Sequence, residues 1–267
     1  MTTPVGQEQS ISYGAYPFAY TNGLQIFNDA TTPNTLLDIG SGVTIDSTDT
    51  FQMINNGTIV INAATKGLNG LDTGTFAEAK VYSVFLISDP VTLQPIGGMI
   101  SLSQTAPLMP FGYSAFKLIG FATTAQGAAT FLPGYWTAGE GNSRRVFMYD
   151  APQVTAVTGG SSTSYANVDL TKSVPILVGG NRPVWIYTNF AANGAGDTLK
   201  LQPGNATGDA VTITAPVVAG TAHVTTNSFL MAQTVAVSTV PSPVINYKVS
   251  SGSDTVAVDV AGYEFFV

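Results

Sequence analysis

The sequence predicts an all-β protein: two antiparallel β-sandwich, jelly-roll-like domains behind an extended N-terminal arm. Three observations carry that prediction. Short β-branched and aromatic runs recur between Gly, Pro, Asn and Asp along nearly the whole chain. Most of these runs alternate, as strands with one buried face do. Helical periodicity is almost absent, and only residues 75–80 suggest a single turn.

Taken in order, residues 1–21 come first. Tyr13, Tyr16, Phe18 and Tyr20 stand there among Gly and Pro without periodicity. That pattern predicts an extended arm with adhesive side chains that docks on a neighbouring subunit, with a flexible tail as the alternative reading. The first sandwich, residues 22–150, has strand runs at 23–27, 58–61, 81–87, 99–102, 116–121 and 145–149. The run 81–87 is apolar on both faces except at Ser83, which predicts a central strand or a subunit contact. Residues 151–164 hold a Gly/Ser/Thr stretch after Asp150-Ala151-Pro152 and are expected to be a flexible linker. The C-terminal sandwich, residues 165–267, has runs at 184–187, 210–214, 234–237, 244–249 and 255–260, with turns at 193–198 and 202–209. No fixed-period repeat, heptad or collagen pattern is visible, which argues against propellers, solenoids and a fibrous shaft.

Composition narrows the function. Of 267 residues 45% are hydrophobic, enough for a packed core and too many for a disordered chain. Only 9% are charged, against roughly 25% in an ordinary soluble domain, so the surface is neutral but hydrated. The net charge of −7 rests on 9 basic residues, too few and too scattered for a phosphate-binding stripe. The adjacent Arg144 and Arg145 read as a solvated strand or loop edge. With no Cys, disulfides, thiolate catalysis and zinc ribbons are excluded. No segment reads as a signal peptide or a membrane-spanning helix.

The chemistry-bearing residues are sparse. His223 is the single histidine, too few for a multi-histidine metal site, and no G-x-S-x-G elbow accompanies it. The acids include Asp38, Asp46, Asp49, Asp72, Asp89, Glu140 and Asp150, mostly beside Gly, Ser, Thr or Pro, the setting of turns and Asx caps. Asp46-Ser47-Thr48-Asp49 has some calcium-loop character but lacks the EF-hand spacing. Neither a P-loop nor a dinucleotide fingerprint is present. No catalytic residue, metal or cofactor is therefore expected, and the chain reads as a non-enzyme. The most site-like stretch is the loop around Tyr135, Trp136, Glu140 and Asn142. Its aromatics suit stacking on a sugar and its polar groups suit hydroxyls; packing at a sandwich end or subunit interface is the competing reading.

One set of blocks has a recognisable order. Gly70-Leu71-Asp72-Thr73-Gly74 precedes the run 81–87, followed by Ser103-Gln104-Thr105-Ala106-Pro107-Leu108-Met109-Pro110-Phe111-Gly112-Tyr113 and then Ile119-Gly120. This order, G-L-D-T-G, strand, S-x-T-A-P-x-x-P-x-G-Y, I-G, resembles a tail-fibre-like module of virion surface proteins in tailed bacteriophages and prophages. Gly23-Leu24, Asn28-Asp29, Asp38-Ile39 and Asp46-Ser47-Thr48 resemble its opening. Ile245-Asn246-Tyr247-Lys248-Val249, Asp254 and Ala261-Gly262-Tyr263 resemble the last strands of its usual C-terminal partner. Where the family often has adjacent basic residues before the Ile-Gly step, this chain has only Lys117. The resemblance implies a virion surface component made in the bacterial cytoplasm and does not say whether head or tail carries it; the first reading is a short tail fibre or tail-attached adhesin. A capsid decoration or head-fibre protein is the alternative, and a glycan-cleaving tailspike an outside one. The expected partners are its own copies in a homotrimer, other virion proteins through the arm, and a host surface glycan as candidate ligand. Nucleic acid and membrane insertion are not expected.

Overall fold

The computed structural model describes residues 21–91, 95–138, 144–150, 154–176, 182–204, 211–215, 223–225, 231–235 and 243–266. The arm residues Tyr13, Tyr16, Phe18 and Tyr20, together with Glu140 and Asn142, lie outside them. The described residues contain strands and no helix.

The first half runs through β1 (Thr21–Gly23), β2 (Ile26–Asn28), β3 (Leu36–Ile39), β4 (Gly42–Ile45), β5 (Gln52–Asn55), β6 (Ile59–Lys66) and β7 (Gly70–Leu71). It continues with β8 (Val81–Ser88), β9 (Gly97–Ser101), β10 (Ala115–Thr123), β11 (Gly134–Ala138) and β12 (Arg144–Tyr149). The second half has β13 (Val154–Gly160), β14 (Ala166–Asp169), β15 (Arg182–Ala192), β16 (Thr198–Pro203) and β17 (Val211–Thr214). Last come β18 (His223–Thr225), β19 (Met231–Val235), β20 (Val244–Val249) and β21 (Thr255–Phe266).

These strands form four sheets, ordered β1-β4-β5, β10-β8-β9-β7-β6-β3-β2, β11-β12-β21-β15-β18 and β14-β20-β16-β17. β13 adds to β21, and β19 to β15. Pairing is antiparallel except where the two-residue β7 joins β6 and β9 in parallel. The predicted central strand is central: β8 lies between β9 and β10 and is buried on both faces. Tyr82, Val84 and Leu86 enter the main core, while Phe85 and Ile87 enter a smaller one with Met99. β9 crosses close to the core because Gly98 carries no side chain; a Cβ there would stand 2.7 Å from Ile61 Cδ1.

The two halves share one apolar core, which runs from Leu24 to Phe265. Its densest part is aromatic. Trp136 of β11 lies 4.8 Å from Phe147 of β12 and 5.0 Å from Phe265 of β21, and Phe265 lies 5.0 Å from Phe121 of β10. Such ring pairs each add about 0.5–1.5 kcal/mol beyond their buried area. The approach of β10 depends on Gly120, where an added Cβ would come within 2.4 Å of Ile26 Cδ1 and 3.4 Å of Trp136 Cζ2.

Three expectations need correction. Residues 75–80 form no helical turn, only a bend at 78–79, and Tyr82 holds the segment: its hydroxyl accepts from the Ala77 N–H at 2.9 Å. The run 23–27 is two strands, because Gly23 (φ 69°) and Leu24 (φ 54°) are left-handed and turn the chain between β1 and β2. The flexible linker expected at 151–164 contains β13, whose alternating Val154 to Val157 supplies ladder positions on β21. Hydrogen bonding also crosses that boundary, since β12 pairs with β21 through Arg144↔Phe266 to Met148↔Gly262.

Substituting Trp136→Ala is expected to lower unfolding free energy by about 3–5 kcal/mol, read from the urea midpoint. Tyr135→Ala, at an exposed position next to it, should change stability by no more than about 0.5 kcal/mol.

Candidate attachment surface

The site begins with one carboxylate. Asp72 follows β7 directly, placed by two glycines acting for different reasons. Gly70 is required for space, since a Cβ there would stand 2.6 Å from the Thr65 carbonyl oxygen, whereas Gly74 takes a left-handed φ of 78°. The Asp72 backbone N–H donates to the Ile100 carbonyl at 2.9 Å. Its Oδ1 accepts from the Thr73 N–H at 2.6 Å. Its Oδ2 accepts from the Ser101 hydroxyl at 2.6 Å and the Leu108 N–H at 3.1 Å. Ser101 Oγ in turn accepts from the Ser103 N–H at 2.9 Å. One side chain thus ties the G-L-D-T-G turn to the strap of residues 102–114.

Pro107 and Pro110 keep the strap out of the sheet, as expected, and it crosses the outer face of β8, β9 and β10. There Met109 and Tyr113 of the strap, beside Phe116 and Leu118 of β10, pack against Phe85, Ile87 and Met99. The Tyr113 hydroxyl donates to the Pro95 carbonyl at 2.9 Å, and its burial, with Asp89 nearby, raises its pKa. Ser114 closes the far end, its N–H donating to the Ser88 carbonyl at 3.1 Å. At the crest a turn closed by the Tyr113 N–H and the Pro110 carbonyl leaves Phe111 fully exposed, at 105%. Leu108 is 66% exposed and Leu102 53%, and residues 101–116 carry no charge.

The residues predicted as a sugar-binding loop divide by strand parity. Trp136 is buried in the aromatic core, while Tyr135 is 51% exposed. Trp136 therefore has no face free for a sugar, and the packing reading holds for it. The expectation of a solvated Arg144–Arg145 pair is corrected at Arg145, which is buried. Its guanidinium donates to the Gly23 carbonyl at 2.6 Å and the Leu24 carbonyl at 3.2 Å. Burial pulls its pKa down to about 10, so it stays charged near neutrality. Arg145 thus fixes the left-handed turn at Gly23 and Leu24, between β1 and β2. His223 lies in β18, opposite Ala192.

Several acids serve turns, but Asp38 lies in β3, its Oδ1 buried without a hydrogen-bond partner, and burial, with Asp29 nearby, raises its pKa. Asp46 accepts from the N–H groups of Thr48, Thr50 and Phe51 and from the Thr48 hydroxyl. Its carboxylate is thus engaged by its own loop. Burial pushes its pKa up, but those hydrogen bonds outweigh burial and hold it below the usual carboxylate value. Asp254, fully buried, accepts from the Asn193 and Ser251 N–H groups at 2.9 and 3.0 Å. Asp89 accepts from the Val91 N–H at 3.0 Å. Among the described residues no group of three or more His, Cys, Asp or Glu could hold a metal ion.

Asp72→Ala is expected to free the strap, with a loss of about 1–3 kcal/mol as the Thr73 N–H, Ser101 hydroxyl and Leu108 N–H lose their acceptor. Faster hydrogen exchange and proteolysis confined to residues 102–113 would show it. Asp46 gives a pH prediction. Its folded pKa lies below the unfolded value of about 3.9, so its contribution is complete above that value and is lost as pH falls through the folded pKa. Asp46→Asn should lower the urea midpoint at neutral pH and flatten its decline below about pH 4.

No protein-family model matches the chain, and no curated protein matches it. Among solved structures, the infectious bursal disease virus VP2 subviral particle aligns at 12% identity over 92% of this chain and 70% of that one, with a TM-score of 0.21. The structure of the Gx strain of that virus aligns at 12% identity and a TM-score of 0.20, and that of the Gt strain at 10% and 0.18. Each covers 92% of this chain and 68% of the other. Scores this low define no common fold.

Proposed function

We propose that the chain is a structural, non-catalytic component of the exterior of a tailed-phage particle, a short tail fibre or tail-attached adhesin that assembles as a homotrimer. The observation that carries this reading is the Asp72 anchor. The motif blocks whose order resembles the phage module are physically one device: the G-L-D-T-G turn holds the S-x-T-A-P-x-x-P-x-G-Y strap through Ser101 and Leu108. The Ile119-Gly120 step completes it. Pairing with β8 shifts register between Leu118 and Gly120, and Gly120 admits the aromatic core. The crest formed by Leu102, Leu108 and Phe111 is the contact surface for a neighbouring subunit, and the arm attaches the assembly to the particle.

Composition supports the same reading. A charge-poor surface loses less hydration free energy when buried against another copy than a charged one does. Asp46, Asp72, Asp89 and Asp254 act as acceptors for backbone N–H groups of nearby turns, an arrangement that serves structure.

Antibody-gold labelling of intact particles tests the proposal. Label at the tail is the expected result, label spread over the head would favour the decoration alternative, and absence from particles would overturn both. Removing residues 1–20 is expected to abolish incorporation while leaving the melting temperature unchanged. Phe111→Ser should convert trimer to monomer in sedimentation velocity at unchanged stability.

A further inference from the structure

Asn22, Asn56, Asn69 and Asn193 are each followed directly by glycine. Such a step is open to spontaneous cyclisation, because glycine has no Cβ to screen its nitrogen from the asparagine side chain and adapts its backbone freely. The fold treats these steps differently. The Gly194 N–H donates to Asp197 Oδ2 at 2.6 Å, and the Gly70 N–H to the Gly67 carbonyl at 3.0 Å. Asn69 is itself fixed to Gly98, whose carbonyl accepts its backbone N–H at 2.9 Å and whose N–H donates to its Oδ1 at 2.8 Å. Asn22 and Gly23 lie in the β1–β4 ladder, opposite Val43 and Gly42. Gly23 is also crowded, since a Cβ there would stand 2.4 Å from the Ser41 carbonyl oxygen.

The step from Asn56 to Gly57 stands apart. It lies in the connection between β5 and β6, outside any ladder, and both residues are exposed. A Cβ on Gly57 would meet nothing within 4 Å, and its N–H donates over a long 3.3 Å, to Asn55 Oδ1. Asn55 is buried and brackets this corner. Its Nδ2 donates to the Gly57 carbonyl at 2.7 Å and to the Gly40 carbonyl, in the turn between β3 and β4, at 2.9 Å.

We propose that Asn56 is a self-modifying site, where spontaneous deamidation places an isoaspartate in the chain and releases the Asn55 bracket. The Gly57 nitrogen attacks Asn56 Cγ and gives up its proton, and the side-chain nitrogen leaves as ammonia, so that a succinimide remains. Water then opens the ring at either carbonyl, giving aspartate or isoaspartate. No further reactant is needed. Either product adds a negative charge to the corner. Isoaspartate also routes the main chain through the former side-chain carbonyl, which lengthens the backbone by one carbon before Gly57. Asn55 then no longer reaches Gly57 and Gly40 together, and the link between the two turns opens.

Ageing the folded full chain in mildly alkaline buffer, with peptide mass mapping over time, tests the site. Asn56 is expected to convert first, ahead of Asn22, Asn69 and Asn193, whereas in the urea-unfolded chain all of them should convert at comparable rates. An intact Asn56, or another asparagine converting first in the folded chain, overturns the proposal. Gly57→Ala should remove the early conversion at unchanged melting temperature, because the position has room for a Cβ and no left-handed φ. Hydrogen exchange at residues 55–58 should quicken in the isoaspartate fraction but not in Asn56→Asp, which carries the charge on a normal backbone. Unchanged exchange in that fraction, or equal quickening in Asn56→Asp, would refute release of the bracket by the lengthened backbone.

Discussion

The last strand constrains everything else. β21 runs for 12 residues and forms three pairings: β15 on one edge, and β12 and β13 in succession on the other. Its apolar residues change parity midway, from Val256, Val258 and Val260 to Tyr263 and Phe265, yet all five belong to one core. A single-residue bulge reconciles them. β15 passes from Ile186↔Val260 to Trp185↔Gly262, so Ala261 is extra and the pleat is reset. Without that bulge either the valines or the aromatics would face away from the core. Gly262 is obligatory next to it, since a Cβ would stand 2.3 Å from the Phe147 carbonyl oxygen.

Because β12 and β13 share one edge of β21, the chain between them can only be a short connection, however flexible its composition. The same sharing places the aromatic residues of β11 and β12 against β10 and merges the cores of the two halves. Arg145 extends this control toward the arm, from β12 to the carbonyls of Gly23 and Leu24. Asp72 does the equivalent work at the strap. In both places one charged side chain satisfies backbone groups that the sheets cannot pair.

What was legible in the sequence followed locality. The two-faced apolar run of β8 announced a central strand, and Pro107 and Pro110 announced a crossing outside the ladder, because each signal is carried by neighbouring residues. Trp136 and Tyr135 show the limit. Both are aromatic and adjacent, and which one is buried depends on the register of β11 with β12, set by Trp136↔Phe147. Arg145 looked like surface because its acceptors lie more than 120 residues away, in a turn whose carbonyls face inward only through left-handed φ values. The Asp72 anchor was visible as a motif order but not as a hydrogen bond, since Leu108 N–H is 36 residues distant.

The scarcity of charge and the shape of the contact surface have a common cause. Asp46, Asp72, Asp89, Asp169, Asp197 and Asp254 all accept hydrogen bonds from nearby backbone N–H groups. Each thereby replaces a backbone partner that the turns between short strands lack. An acid held in that way cannot also reach across an interface. What remains to present outward among the described residues is mostly apolar or neutral, with Phe111 and Leu108 at the crest and scattered charges such as Asp49, Lys66 and Lys172 elsewhere. A surface of that kind gains little from long-range electrostatic steering. It gains instead from a partner held close, as an arm-tethered or trimeric assembly would hold it, where effective concentration replaces charge as the source of association.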